Sequence, residues 1–68
     1  MKFIQFYADK EKTTYVYNAD EISSIHKVNE DNVIYIQFKS GKVNQYEFAN
    51  SKSAFYVLEN ILKQLGVK

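Results

Sequence analysis

The sequence predicts an α+β fold: an antiparallel β-sheet of four to five strands, built from β-hairpins and packed on one C-terminal α-helix. Three observations carry this expectation. Val33-Ile34-Tyr35-Ile36-Gln37-Phe38 is a run of β-branched and aromatic residues, and a second such run returns to Phe48 after Ser40-Gly41. The first 18 residues hold two more runs, Lys2 to Tyr7 and Thr13 to Asn18, separated by the charged Asp9-Lys10-Glu11-Lys12. Between Ser51 and Leu65 the apolar residues instead recur at helical spacings.

With 68 residues the chain makes a single domain spanning 1–68. A domain this small buries only roughly 60% of its unfolded surface. It needs a staple, a very good core or self-association. The sequence has no Cys, which excludes disulfides, cysteine-based zinc sites and thiol chemistry. Its aromatic share is high instead: six Tyr and five Phe supply large burial per residue.

In the first strand Ile4 and Phe6 share one face, and Phe3, Gln5 and Tyr7 the other. Asp9 to Lys12 reads as a solvated turn. In the second strand Tyr15 and Tyr17 share a face and Val16 opposes them. Asn18-Ala19-Asp20 marks the next turn, where Asn and Asp side chains bond local backbone. Glu21 to Val28 is ambiguous, because Ile22, Ile25 and Val28 are three apart and suit either a helical turn or a bulged strand. The reading favoured is a short turn over Asp20-Ser23 and a strand from about Ser24 to Val28. Asn29-Glu30-Asp31-Asn32 then turns the chain.

The central hairpin follows. Ile34, Ile36 and Phe38 line one face of its first strand; Val33, Tyr35 and Gln37 line the other. A two-residue loop would pair Ile34 with Glu47 and Ile36 with Gln45. An odd loop, Ser40-Gly41-Lys42, brings the apolar sets together, with Ile34 opposite Phe48 and Ile36 opposite Tyr46. Register follows the buried face, so the odd loop is expected, with Gly41 supplying a positive φ. The helix is capped by Asn50 or Ser51, carries the stripe Ala54, Phe55, Leu58, Ile61, Leu62 and Leu65, and stops at Gly66. Lys52, Glu59, Asn60, Lys63 and Gln64 fall on its wet side.

One helix covers one sheet face. The other keeps Val33, Tyr35, Gln37, Val43, Gln45 and Glu47, joined by either Phe3, Tyr7, Tyr15 and Tyr17 or Ile4, Phe6 and Val16. Either set leaves apolar surface uncovered, and such patches mark interaction sites. The sequence therefore predicts a small non-enzymatic interaction module, a homodimer that also binds a protein partner through this face. The interface residues expected are Val33, Tyr35, Gln37, Val43, Tyr15 and Tyr17.

Chemistry finds little support. His26 is the only histidine, and adjacency to Ser23 and Ser24 does not make a triad. Asp20-Glu21 and Glu30-Asp31 lack the ligand density and Gly placement of a calcium loop. There is no P-loop, no dinucleotide-binding glycine pattern and no HExxH. No catalytic residue, cofactor or metal is expected. The alternative function is single-stranded nucleic-acid binding, with Tyr15, Tyr17 and Tyr35 stacking bases and Lys27, Lys39 and Lys42 meeting phosphates. Against it stand a formal net charge of +1, scattered lysines and no Arg. No apolar stretch approaches the roughly 20 residues of a membrane span. Gln5, Asp9 and Lys10 interrupt any signal-peptide core. The expected location is the cytoplasm, away from membranes.

Asn18-Ala-Asp20-Glu-Ile22-Ser-Ser-Ile25, then Asp31-Asn-Val33-Ile34-Tyr-Ile36, Gly41 and a closing helix resemble the FlbD-like family of small flagellar and swarming motility proteins. The resemblance covers roughly Tyr15 to Leu65. This chain differs in its longer, Tyr-rich first hairpin. Ser23 to Tyr46 is also similar to a small domain appended to some lysyl-tRNA synthetases. What the first resemblance implies is a strand-rich cytoplasmic accessory protein of bacterial or phage origin, with no catalytic residues to carry over.

Overall fold

Five strands form two antiparallel sheets around one core, and a single helix closes it. The computed structural model describes residues 2–66. In chain order the elements are β1 (Phe3–Ala8), β2 (Thr13–Asn18), a 3-10 turn (Ala19–Glu21), β3 (Ile22–Lys27), β4 (Val33–Phe38), β5 (Val43–Glu47) and α1 (Ser51–Leu65). β1 pairs with β2; β3, β4 and β5 form the second sheet in that order. The α+β class, the strands and the helix are those the sequence predicts.

β1 alternates strictly, with Ile4, Phe6 and Ala8 buried and Phe3, Gln5 and Tyr7 exposed. Its register with β2 sets Ile4 opposite Tyr17 and Phe6 opposite Tyr15. Both proposed groupings of these strands are therefore corrected: Tyr15 and Tyr17 side with Ile4 and Phe6, while Val16 sides with Phe3 and Tyr7. The cause is the loop. Four residues, Asp9 to Lys12, join strands whose directly opposed positions differ in parity, and Lys12 closes the turn at φ 54.

Asn18 accepts a hydrogen bond from Asp20 N at 3.0 Å, which starts the 3-10 turn. β3 then begins two residues earlier than expected. A bulge between Ile22 and Ser24 inserts Ser23, so Ile22 faces Phe38 and Ile25 faces Ile36. The extra residue turns both isoleucines to one face despite their odd spacing.

In the central hairpin the apolar sets meet as predicted, but the register lies two residues away. Ile34 is opposite Tyr46, not Phe48, and Ile36 is opposite Asn44, not Tyr46. Phe48 is held further down, donating its N–H to Asn32 O at 2.8 Å. The loop is Lys39-Ser40-Gly41: Phe38 N donates to Lys42 O and Gly41 N to Phe38 O, at 2.8 and 2.9 Å. A three-residue loop of this kind needs the left-handed conformation at its last position. Gly41, at φ 95, takes that position rather than the middle.

Asn50 caps α1 by accepting from Ser53 N at 2.8 Å. Gly66 ends it in the left-handed conformation, φ 85. Ala54 and Ile61 are fully buried, and Val57, Leu58 and Leu65 pack beside them. Phe55 departs from the expected stripe: its side lies towards solvent, 53% exposed, and Val57 fills the core position instead. The helix packs on β1 and β4. The core beneath it joins Ile4, Phe6 and Ala8 to Ile34, Ile36, Tyr46 and Phe48.

Phe48→Ala deletes the largest fully buried side chain. It is expected to cost about 3–5 kcal/mol, comparable to the whole stability of a domain this size. Urea titration followed by circular dichroism should find the variant largely unfolded. Gly41→Ala meets no atom within 4 Å, so its cost is backbone strain alone, about 1–2 kcal/mol in the same titration. Asn at position 41 should lose less.

Candidate interaction surfaces

The three-stranded sheet turns one face to solvent. Directly opposed residues place His26 beside Tyr35 and Gln45, Ser24 beside Gln37 and Val43, and Val33 beside Glu47. His26 stacks on Tyr35 with ring centroids 5.5 Å apart. Ser24 Oγ donates to Gln37 Oε1 at 3.2 Å. Val43 is 54% exposed. Four of the six interface residues proposed from sequence, Val33, Tyr35, Gln37 and Val43, thus share this face. His26 belongs with them.

Tyr15 and Tyr17 do not. They point inwards and pack against the core. Tyr15 meets Tyr46 edge-on at 4.7 Å, and Tyr17 meets Phe38 at 5.1 Å. The hydroxyls of Tyr17 and Tyr46 bond one another, and Asn44 Nδ2 donates to Tyr46 Oη at 3.2 Å. Tyr15 donates to Glu11. Of the residues named for nucleic acid, Lys27 is committed elsewhere. Its ammonium donates to Val28 O, Asn29 O and Ser51 Oγ at 2.9–3.1 Å. Lys39 and Lys42 are exposed around the β4–β5 turn, and Tyr35 is already stacked.

Burial holds the Tyr46 phenol well above its ordinary value, reinforced by the bond to Tyr17. The Tyr15 phenol is raised chiefly by its hydrogen bond to Glu11.

A second surface lies between β1 and α1. It is a groove of about 820 Å³ whose lining includes Tyr7, Asp9, Lys52, Ser53, Tyr56 and Gln64. Gln64, assigned to the wet side of the helix from sequence, is instead a clamp. Its Oε1 accepts from Gln5 N and its Nε2 donates to Gln5 O, both at 2.8 Å. At the far end Asp9 Oδ1 accepts from Ala49 N at 2.9 Å. Tyr7 and Tyr56 flank the groove at 52% and 70% exposure. Helical periodicity gives no sign that Gln64 would serve the strand edge. Tyr7 stood in the sequence as one half of an unresolved choice of faces.

Among the described residues no three His, Asp or Glu side chains gather where they would hold a metal ion, and no helix is long and apolar enough to cross a membrane. The chain matches no family model, and no curated protein or solved structure matches it.

Both tyrosine shifts have one sign. A phenol whose value is raised on folding favours the native state below its unfolded value of about 10, and that contribution is lost as pH rises through the folded value. Thermal melts should therefore show the melting temperature falling as pH rises above about 10. Tyr46→Phe should lose about 1 kcal/mol at neutral pH and flatten the alkaline decline.

Proposed function

We propose that this protein is a non-enzymatic interaction module that acts as a homodimer through the outer face of its three-stranded sheet. The observation that carries the reading is the set of Val33, Tyr35 and Val43, with the His26–Tyr35 stack, on the face of the three-stranded sheet opposite the core, where Val43 is exposed and Val33 and Tyr35 are half-buried. Tyr supplies apolar area and a polar tip at low entropic cost, which suits interfaces. Two-fold pairing of the same face is the commonest closed arrangement. It also offers a small, cysteine-free domain the stabilisation its core supplies sparingly. A cytoplasmic accessory role, of the kind that the resemblance to flagellar and swarming motility proteins implies, accords with an activity based on contact.

The single-strand-binding alternative is the weaker reading. It asks for a stacking platform, while Tyr15 and Tyr17 face inwards and Lys27 spends its donors on carbonyls and Ser51.

Sedimentation equilibrium is expected to return twice the chain mass of 8.0 kDa. Val43→Asp places a carboxylate within the proposed contact while leaving the core untouched, and should return the single-chain mass with its circular dichroism unchanged. A wild-type protein that stays at the single-chain mass at millimolar concentration would sink the proposal. A labelled single-stranded oligonucleotide should show no salt-dependent shift.

A further inference from the structure

We infer that the groove between β1 and α1 takes an extended peptide, bound antiparallel to β1 as an added strand and carrying an acidic side chain towards its N-terminal end. This site is separate from the dimer face, and the inference does not rest on the dimer. The first ground is the free edge of β1. Both main-chain groups of Gln5 point away from β2, since both bond Gln64. Strand alternation then turns the N–H and C=O of Tyr7 the same way. They face the groove, and among the described residues no donor or acceptor meets them.

The second ground is the clamp itself. Gln64 gives Gln5 one donor and one acceptor at 2.8 Å each. That is the pair of bonds a residue of a neighbouring antiparallel strand exchanges. The edge is thus already shaped for a peptide unit, and a side-chain amide stands in for one. From Gln5 to Asp9 the strand edge spans about 13 Å at the usual rise, the length of about four extended residues. Recognition by strand addition draws affinity from such main-chain bonds and specificity from alternate side chains. Here those side chains would pass between Tyr7 and Tyr56.

The third ground is charge. The groove reaches the start of α1, whose first turn holds Lys52 and no acidic residue. Lys52 forms no salt bridge among the described residues. An antiparallel peptide sets its N-terminal end here, on the Lys52 side of the groove, while the Asp9 carboxylate is turned to Ala49 N through its Oδ1. A carboxylate side chain on the peptide complements Lys52 and the exposed helix start.

The test is selection from a phage-displayed library of random dodecapeptides, followed by titration of the enriched peptides into labelled protein by NMR. The expected result is enrichment of β-forming sequences with Asp or Glu in their N-terminal half. The Tyr7 amide and the Gln64 side-chain amide should shift most. Gln64→Ala should tighten binding about fivefold, as one competing bond pair is removed. Lys52→Glu should weaken it about fivefold or more. Failure to enrich any sequence, or binding that leaves the Tyr7 amide unmoved, would overturn the inference. The Val43→Asp variant separates this outcome from the dimer's: it should change the mass and leave peptide binding intact.

Discussion

Tyr46 is the residue on which the two sheets depend. No shared strand pairing joins β1–β2 to β3–β4–β5, so the hairpins meet through side chains. Phe6 stands edge-on to Tyr46 at 5.1 Å, Tyr15 meets it at 4.7 Å, and Tyr17 lies between Tyr46 and Phe38. Aromatic pairs of this geometry add about 0.5–1.5 kcal/mol each beyond burial. In a chain without disulfides, this is where so much aromatic content is used. Tyr46 is 2% exposed, and its hydroxyl is satisfied by Tyr17 and Asn44. No buried side-chain polar atom among the described residues lacks a partner.

Side chains also manage the strand edges. Glu11 accepts from Glu47 N at 3.1 Å and Asp9 from Ala49 N at 2.9 Å, so the β1–β2 loop closes the free edge at the end of β5. Lys10 adds an ion pair with Glu47, both side chains half exposed and therefore of small energetic weight. Gln64 treats the edge of β1 in the same way. β3 is handled differently: it carries the Ser23 bulge, which discourages pairing with another sheet. Unpaired main-chain groups are costly in a dry interior and sticky at a wet edge. A protein of this size meets both problems with side chains because it has no spare strand to cover them.

Much of this was legible in the sequence, and the errors share a cause. Strand runs, the helix and its Asn50 and Gly66 boundaries follow from composition and local chemistry. The inner set Ile34, Ile36 and Phe38 follows from alternation. Register did not, because it depends on how many residues each loop consumes. Gly41 at the last loop position moved the central hairpin by two. Four residues at Asp9 to Lys12 linked Tyr15 and Tyr17 to Ile4 and Phe6, and so removed two tyrosines from the expected surface. Phe55 was misplaced for a related reason. A helical stripe is wider than the core it meets, and only the position of β1 and β4 decides which border residue is covered. Gln64 was illegible in kind, since periodicity reads burial and its role is a hydrogen bond.

The inward turn of Tyr15 and Tyr17 has a consequence for how surfaces are divided in this fold. With them packed against the core, the outer face of the three-stranded sheet is left with Val33, Tyr35, Gln37 and Val43 and lacks both tyrosines of β2. The more deeply shaped surface arises where β1 and α1 run beside one another and are tied only at their ends, by Gln64 and by Asp9. Between the ties a helix that rests on apolar contacts from Ala54, Val57 and Ile61 leaves the strand edge uncovered, because side chains hold the two elements further apart than a strand pair would stand. A concave site is thus a by-product of packing a helix along an edge strand. Its main-chain groups come with the scaffold, and only the residues around them, Lys52 and the two tyrosines, need be chosen for a ligand.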